Sequence, residues 1–244
     1  MDGEVLRHLH VMRNLHLTNH QRYLLLLCGL AALAAFQFEF LRTLVGFLVF
    51  AVLSLIGIRL AELINWEINA VPTSKKTHYL ITEALVIGML TALFVLTSVK
   101  LLSNLIPELV LRFQHDAGLP ATAIARVVLF APIAEELIFR LFIMTLTYWL
   151  LTKVFRENSP PGQNQSFLKW SFLVSAILFA LAHLPGWIRV TDKFEVFGFV
   201  ILLNMIASYS FSWLFCNRGI YLAIVAHFSA DVFGHIIGAR LMFN

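Results

Sequence analysis

Apolar runs of about 20 residues recur along the chain, at 23–40, 41–64, 79–102, 121–151, 168–184, 194–216 and 220–243. A helix needs about that length to cross the ~30 Å hydrocarbon core of a bilayer. In lipid every backbone N–H and C=O must find a partner within the protein, which leaves only helices and closed barrels. Barrel strands would show ten-residue stretches of alternating polarity, and none is present. The chain is therefore expected to be all-α, a polytopic transmembrane bundle of about seven to eight spans. With 59% hydrophobic and 13% charged residues and a mean hydropathy of +0.82, the composition excludes an ordinary soluble domain. The stretch 105–113 is apolar but too short to cross. It fits an interfacial helix or part of a broken one, and leaves an eighth element open.

The net charge of +4 comes from basic residues scattered singly between apolar runs, a pattern suited to anionic lipid headgroups and not to nucleic acid. Cys28 and Cys216 lie in apolar segments and read as packing residues. Residues 1–22 form a polar tail in which Val5, Leu6, Leu9, Met12 and Leu15 mix with Arg7, Arg13 and histidines, as in an interfacial helix. Metal binding by His8, His10, His16 and His20 is the less favoured alternative there. The first apolar run is longer than a signal-peptide core and lacks a small-residue cleavage pattern, so it is expected to stay in the protein. One transmembrane domain, 23–244, follows, with its chemistry in 121–244. Lysine and arginine density in the tail and two loops places the N-terminus in the cytoplasm.

Each ionisable group within a span costs at least ~2.5 to 3.5 kcal/mol on insertion scales and so needs a partner or a task. The fourth run carries Glu135, Glu136 and Arg140 within six residues. Glu136 and Arg140, four apart, share a helical face, whereas Glu135 projects about 100° away. Pairing of the former two leaves Glu135 without an opposite charge and makes it a candidate general base or acid. Pro132 is expected to free a carbonyl near Val128 and loosen the helix before the acids. The fifth run places Phe179 and His183 on one face, near an expected helix end at Pro185 and Trp187. The seventh places His227, Asp231 and His235 in a polar stripe. Structural readings exist for each alone: a salt bridge, an interfacial histidine, a hydrogen-bond network between helices.

Taken in order, Glu135-Glu136 with Arg140, Phe179 with His183, and His227 with Asp231 resemble the EExxxR, FxxxH and Hxxx(N/D) motifs of the CPBP family. That family comprises CAAX proteases and bacteriocin-processing enzymes, including the Ras-converting endopeptidase. The resemblance covers residue 121 to the C-terminus and implies a glutamate-dependent intramembrane endopeptidase that needs no cofactor. Its substrate would be a membrane-associated peptide or protein. By the same resemblance Glu135 and His183 activate water, His227 and Asp231 stabilise the oxyanion, and Glu136 and Arg140 organise the site. Phe179 is a candidate for contact with substrate. Asp231 stands where the better-studied pattern has asparagine; it either donates as a neutral acid or orients His227. Bacterial relatives resemble the aspartate form, and a prokaryotic cytoplasmic membrane is the expected location.

Signatures of other intramembrane proteases, HExxH, GxSxG and GxGD, are missing from the chain. A zinc site from His183, His227 and Glu135 stays geometrically open. Two rivals come from other classes: a silent scaffold or regulator of the same fold, and a proton-coupled transporter using Glu83, Lys100, Glu135 and His227. The transporter reading lacks the internal repeats that such proteins usually carry.

Overall fold

The computed structural model describes residues 22–29, 40–67, 77–120, 123–124, 128–157 and 163–243, and every regular element among them is helical. Among the described residues six helices are long and apolar enough to cross a membrane. We label the elements α1 (Phe40–Leu63), α2 (Thr77–Leu102), α3 (Glu108–Ala117), α4 (Ala131–Val154), α5 (Gln165–Ile188), α6 (Phe194–Arg218) and α7 (Ile220–Phe243). The protein is an integral membrane protein, and its outward apolar side chains, among them Leu48, Leu90, Phe94 and Leu202, face the solvent that suits them. Of the first expected span, 23–40, residues 23–29 and 40 are described, all as helix; the interfacial reading of the tail falls outside the described residues apart from Arg22.

The helices meet by close backbone approach, as expected where lipid gives no hydrophobic drive to association. A Cβ at Gly88 of α2 would collide with the Ala226 carbonyl oxygen of α7, and one at Gly57 of α1 with that of Leu141 in α4. Ser229 of α7 adds a hydrogen bond to the Leu85 carbonyl of α2, 2.8 Å long. Helix α6 packs between α5 and α7, and α4 lies against α1, α5 and α7. Gly219, at φ 85°, is the single residue between α6 and α7, a conformation and a tightness that glycine permits. The amphipathic helix α3 closes one end, where Lys193, just before α6, forms an ion pair with Glu108. The hydrogen bond to Lys193 holds the Glu108 carboxyl below the usual carboxylate range, and the same bond raises Lys193.

Two expectations are corrected. The crossing helix of the fourth run begins at Ala131, not 121, with Phe130 as its N-cap and Pro132 in the first turn. A proline there forfeits no intrahelical bond, so it starts the helix instead of loosening it. The loosening comes after the acids: Leu137–Met144 is a π-helical segment. Helix α5 also continues through Pro185 to Ile188, because a proline near the last turn removes one bond without forbidding helical φ.

Gly88→Leu is expected to force α2 off α7 and lower stability by ~1 to 3 kcal/mol or more, the usual range for overpacking. Gly198→Ala, inside α6 where an added Cβ meets nothing within 4 Å, should be neutral to slightly stabilising. Thermal unfolding of both variants in detergent checks the contrast.

Candidate active site

Helix α4 supplies three charged side chains, and helical geometry sorts them as the sequence predicts. Glu136 and Arg140 have no exposed side-chain surface, and Arg140 Nη1 lies 3.1 Å from Glu136 Oε1. The same carboxylate oxygen is 2.8 Å from His227 Nδ1 on α7. Arg140 Nη2 donates to Ser208 of α6, 3.0 Å to Oγ and 3.2 Å to the carbonyl oxygen. The guanidinium lies 4.6 Å from the centre of the Phe179 ring and 5.5 Å from that of Phe211. These π faces compensate a cation that hydrogen bonds alone do not saturate.

Around this buried ion triad stand the more exposed groups. Glu135 Oε2 is 3.9 Å from His183 Nε2 and 3.6 Å from His227 Nε2. Both exceed hydrogen-bond length, and both are spans that one water molecule can bridge. His183 Nδ1 donates to the Phe179 carbonyl at 2.8 Å. In neutral His183 that bond leaves a lone pair on Nε2, on the Glu135 side. Asp231 Oδ1 is 3.8 Å from His227 Nε2. Phe179 stacks at 4.6 Å on the His183 ring, and Phe211 lies nearly parallel to His227 at 4.5 Å.

All the residues singled out by the motifs therefore converge from α4, α5 and α7. Phe179, His183, His227 and Asp231 line a cavity of about 210 Å³ that extends to Thr91 on α2 and Arg112 on α3. Glu135 is not on that wall; it approaches the two histidines from α4. Sequence reasoning missed Ser208, Phe211 and the cavity-lining Asn204, which come from α6, a helix with no charged residue in its middle. A small polar residue within a span was the only signal for Ser208. Glu83 and Lys100, weighed as members of a proton relay, have other partners. Arg218 grips Glu83 with two bonds of 2.9 and 3.1 Å, and Lys100 donates to the Met242 carbonyl at 3.0 Å. Among the described residues no three His, Cys, Asp or Glu side chains are grouped to hold a metal ion.

The only π-helical segments among the described residues follow directly on site residues, Leu137–Met144 after Glu136 and Val232–Gly238 after Asp231. Ser175 of α5 donates to the Phe139 carbonyl at 2.8 Å, and Thr145 to that of Arg140 at 3.3 Å. Hydroxyls thus serve carbonyls in the first widened turn, a recurrent solution for interrupted helices in membranes.

Residues 117–233 match the family model described as type II CAAX prenyl endopeptidase, Rce1-like. The matched stretch contains all six ionisable motif residues and Phe179. No curated protein and no solved structure matches the chain.

Arg140→Ala is expected to cost ~3 to 5 kcal/mol, because Glu136 keeps its charge without its cation. Arg140→Lys should restore little of this, since an ammonium lacks the planar fork that meets Glu136 and Ser208 beside the Phe179 and Phe211 rings. Thermal unfolding of both variants, with expression level alongside, measures the difference.

Proposed function

We propose, from the match of residues 117–233 to the Rce1-like type II CAAX prenyl endopeptidase model, that this membrane protein is an endopeptidase whose Glu135 and His183 activate a water molecule. The observation that carries this reading is one carboxylate oxygen lying 3.9 and 3.6 Å from two imidazole Nε2 atoms, itself buried although its side chain is partly exposed. Water held between them donates one proton to Glu135 while His183 orients it. The water oxygen attacks the scissile carbonyl carbon, and the proton passes from Glu135 to the amide nitrogen as the C–N bond breaks. His227 turns Nε2 toward the reacting centre while its Nδ1–H is anchored on Glu136. As an imidazolium it can donate to the oxyanion. The substrate is a membrane-associated peptide or protein, with a prenylated peptide ending in a CAAX sequence as the first to test.

Glu135→Gln and His183→Ala are each expected to abolish cleavage of a peptide that the purified wild-type protein cuts, with folding retained. Wild-type turnover in either variant refutes the assignment. The mechanism uses no metal, so activity should survive chelation and remain unchanged on zinc addition. Stoichiometric zinc in active protein, with loss on chelation and recovery on readdition, would replace it by a metal mechanism.

A further inference from the structure

One polar group on the cavity wall has no part in this mechanism. His235 lines the same cavity as His227 and Asp231 and lies two residues beyond the stretch matched by the family model. In an uninterrupted α-helix, eight residues carry a side chain about 80° around the axis from its start, which would turn His235 away from the face of His227. The π segment begins at Val232, directly after Asp231. Its wider turn takes more residues per revolution and brings position 235 back toward the cavity. Asp231 then has an imidazole on either side along α7. His227 Nε2 is 3.8 Å from Oδ1, and His235, four residues further on, lines the same cavity as that carboxylate.

We propose that His235 is a positioning residue for Asp231, donating a ring N–H to this carboxylate and holding it beside the His227 imidazole. Asp231 thereby orients His227, and the oxyanion is left to the imidazole. A carboxylate can accept the His235 N–H on one oxygen and still set its charge beside Nε2 of His227, whereas asparagine accepts at one oxygen and brings no charge to orient an imidazolium. An aspartate at 231 and a histidine at 235 thus form one device. This inference rests on the endopeptidase reading and adds a residue to its site.

The test is a double-mutant cycle between positions 231 and 235, read as kcat and KM of the full chain in detergent on the peptide cut by wild type, with thermal unfolding alongside. His235→Gln retains an N–H donor and His235→Phe only the ring shape. Gln is expected to keep kcat within a few fold of wild type while Phe lowers it about tenfold or more, with KM little changed in both. Asp231→Asn should cost at least fivefold more with His235 present than in the His235→Phe background. Additive effects, or equal rates for His235→Gln and His235→Phe, overturn the proposal; should Phe prevent folding, the cycle is run with His235→Leu. Glu135→Gln is the control that separates the two readings. If it stays active, the endopeptidase mechanism fails; if it is dead while the cycle is additive, only the role of His235 fails.

Discussion

A carboxylate with no solvent exposure, Glu136, binds Arg140 on its own helix and His227 on another, and the placement of the other site residues depends on that triad. Burying an ion costs several kcal/mol even after relaxation, and mutual attraction offsets this only when geometry and extra hydrogen bonds are good. Here the offset draws on α6 through Ser208 and on the rings of Phe179 and Phe211. Four helices are thereby tied to one pair of charges. Removing either charge leaves the other uncompensated, so the triad fixes geometry more than it adds stability.

That geometry demands departures from the regular helix. Leu137–Met144 is widened where Phe139 and Arg140 must present carbonyls to Ser175 and Thr145 while Arg140 points into the core. Helix α1 accommodates the widened turn through Gly57, the residue that meets the Leu141 carbonyl where a side chain could not fit. The second π segment follows Asp231 on α7, whose first half is held against α2 by Gly88 and Ser229. Small residues and hydroxyls at these contacts are what let backbones approach where lipid gives no hydrophobic reward.

Much of this was legible in the sequence, for reasons that are local. Span length fixed the helical class, and the 100° step of the helix separated Glu136, which pairs with Arg140, from Glu135, which does not. The four-residue spacing placed His183 with Phe179 and Asp231 with His227. What was not legible is whatever crosses between helices without a charge on both sides. The nearest anionic partner of His227 is Glu136 at 2.8 Å, not Asp231 at 3.8 Å, and periodicity within α7 could propose only the latter. Ser208 and Phe211 carry no pattern that distinguishes them from other residues of an apolar helix. Pro132 misled because a proline frees a carbonyl only inside a helix, and where α4 begins is set by the turn at Phe130.

Exposure then divides the charged groups along chemical lines. Glu136 and Arg140 have none and His227 has 6%, whereas Glu135 keeps 26% and His183 33% of its side-chain surface. A group that handles water must be reachable by it, and a group that fixes another in place gains from being sealed, because attraction between charges strengthens as water is excluded. The gradient across a few ångströms fits the separation of tasks inferred from helical phase alone. Two neighbouring glutamates differ in solvent access because one faces the packed interior of the bundle and the other is turned by a single residue step toward the histidines. A sealed acid holds His227 and a partly exposed one faces both histidines, and the two come from adjacent positions on one helix.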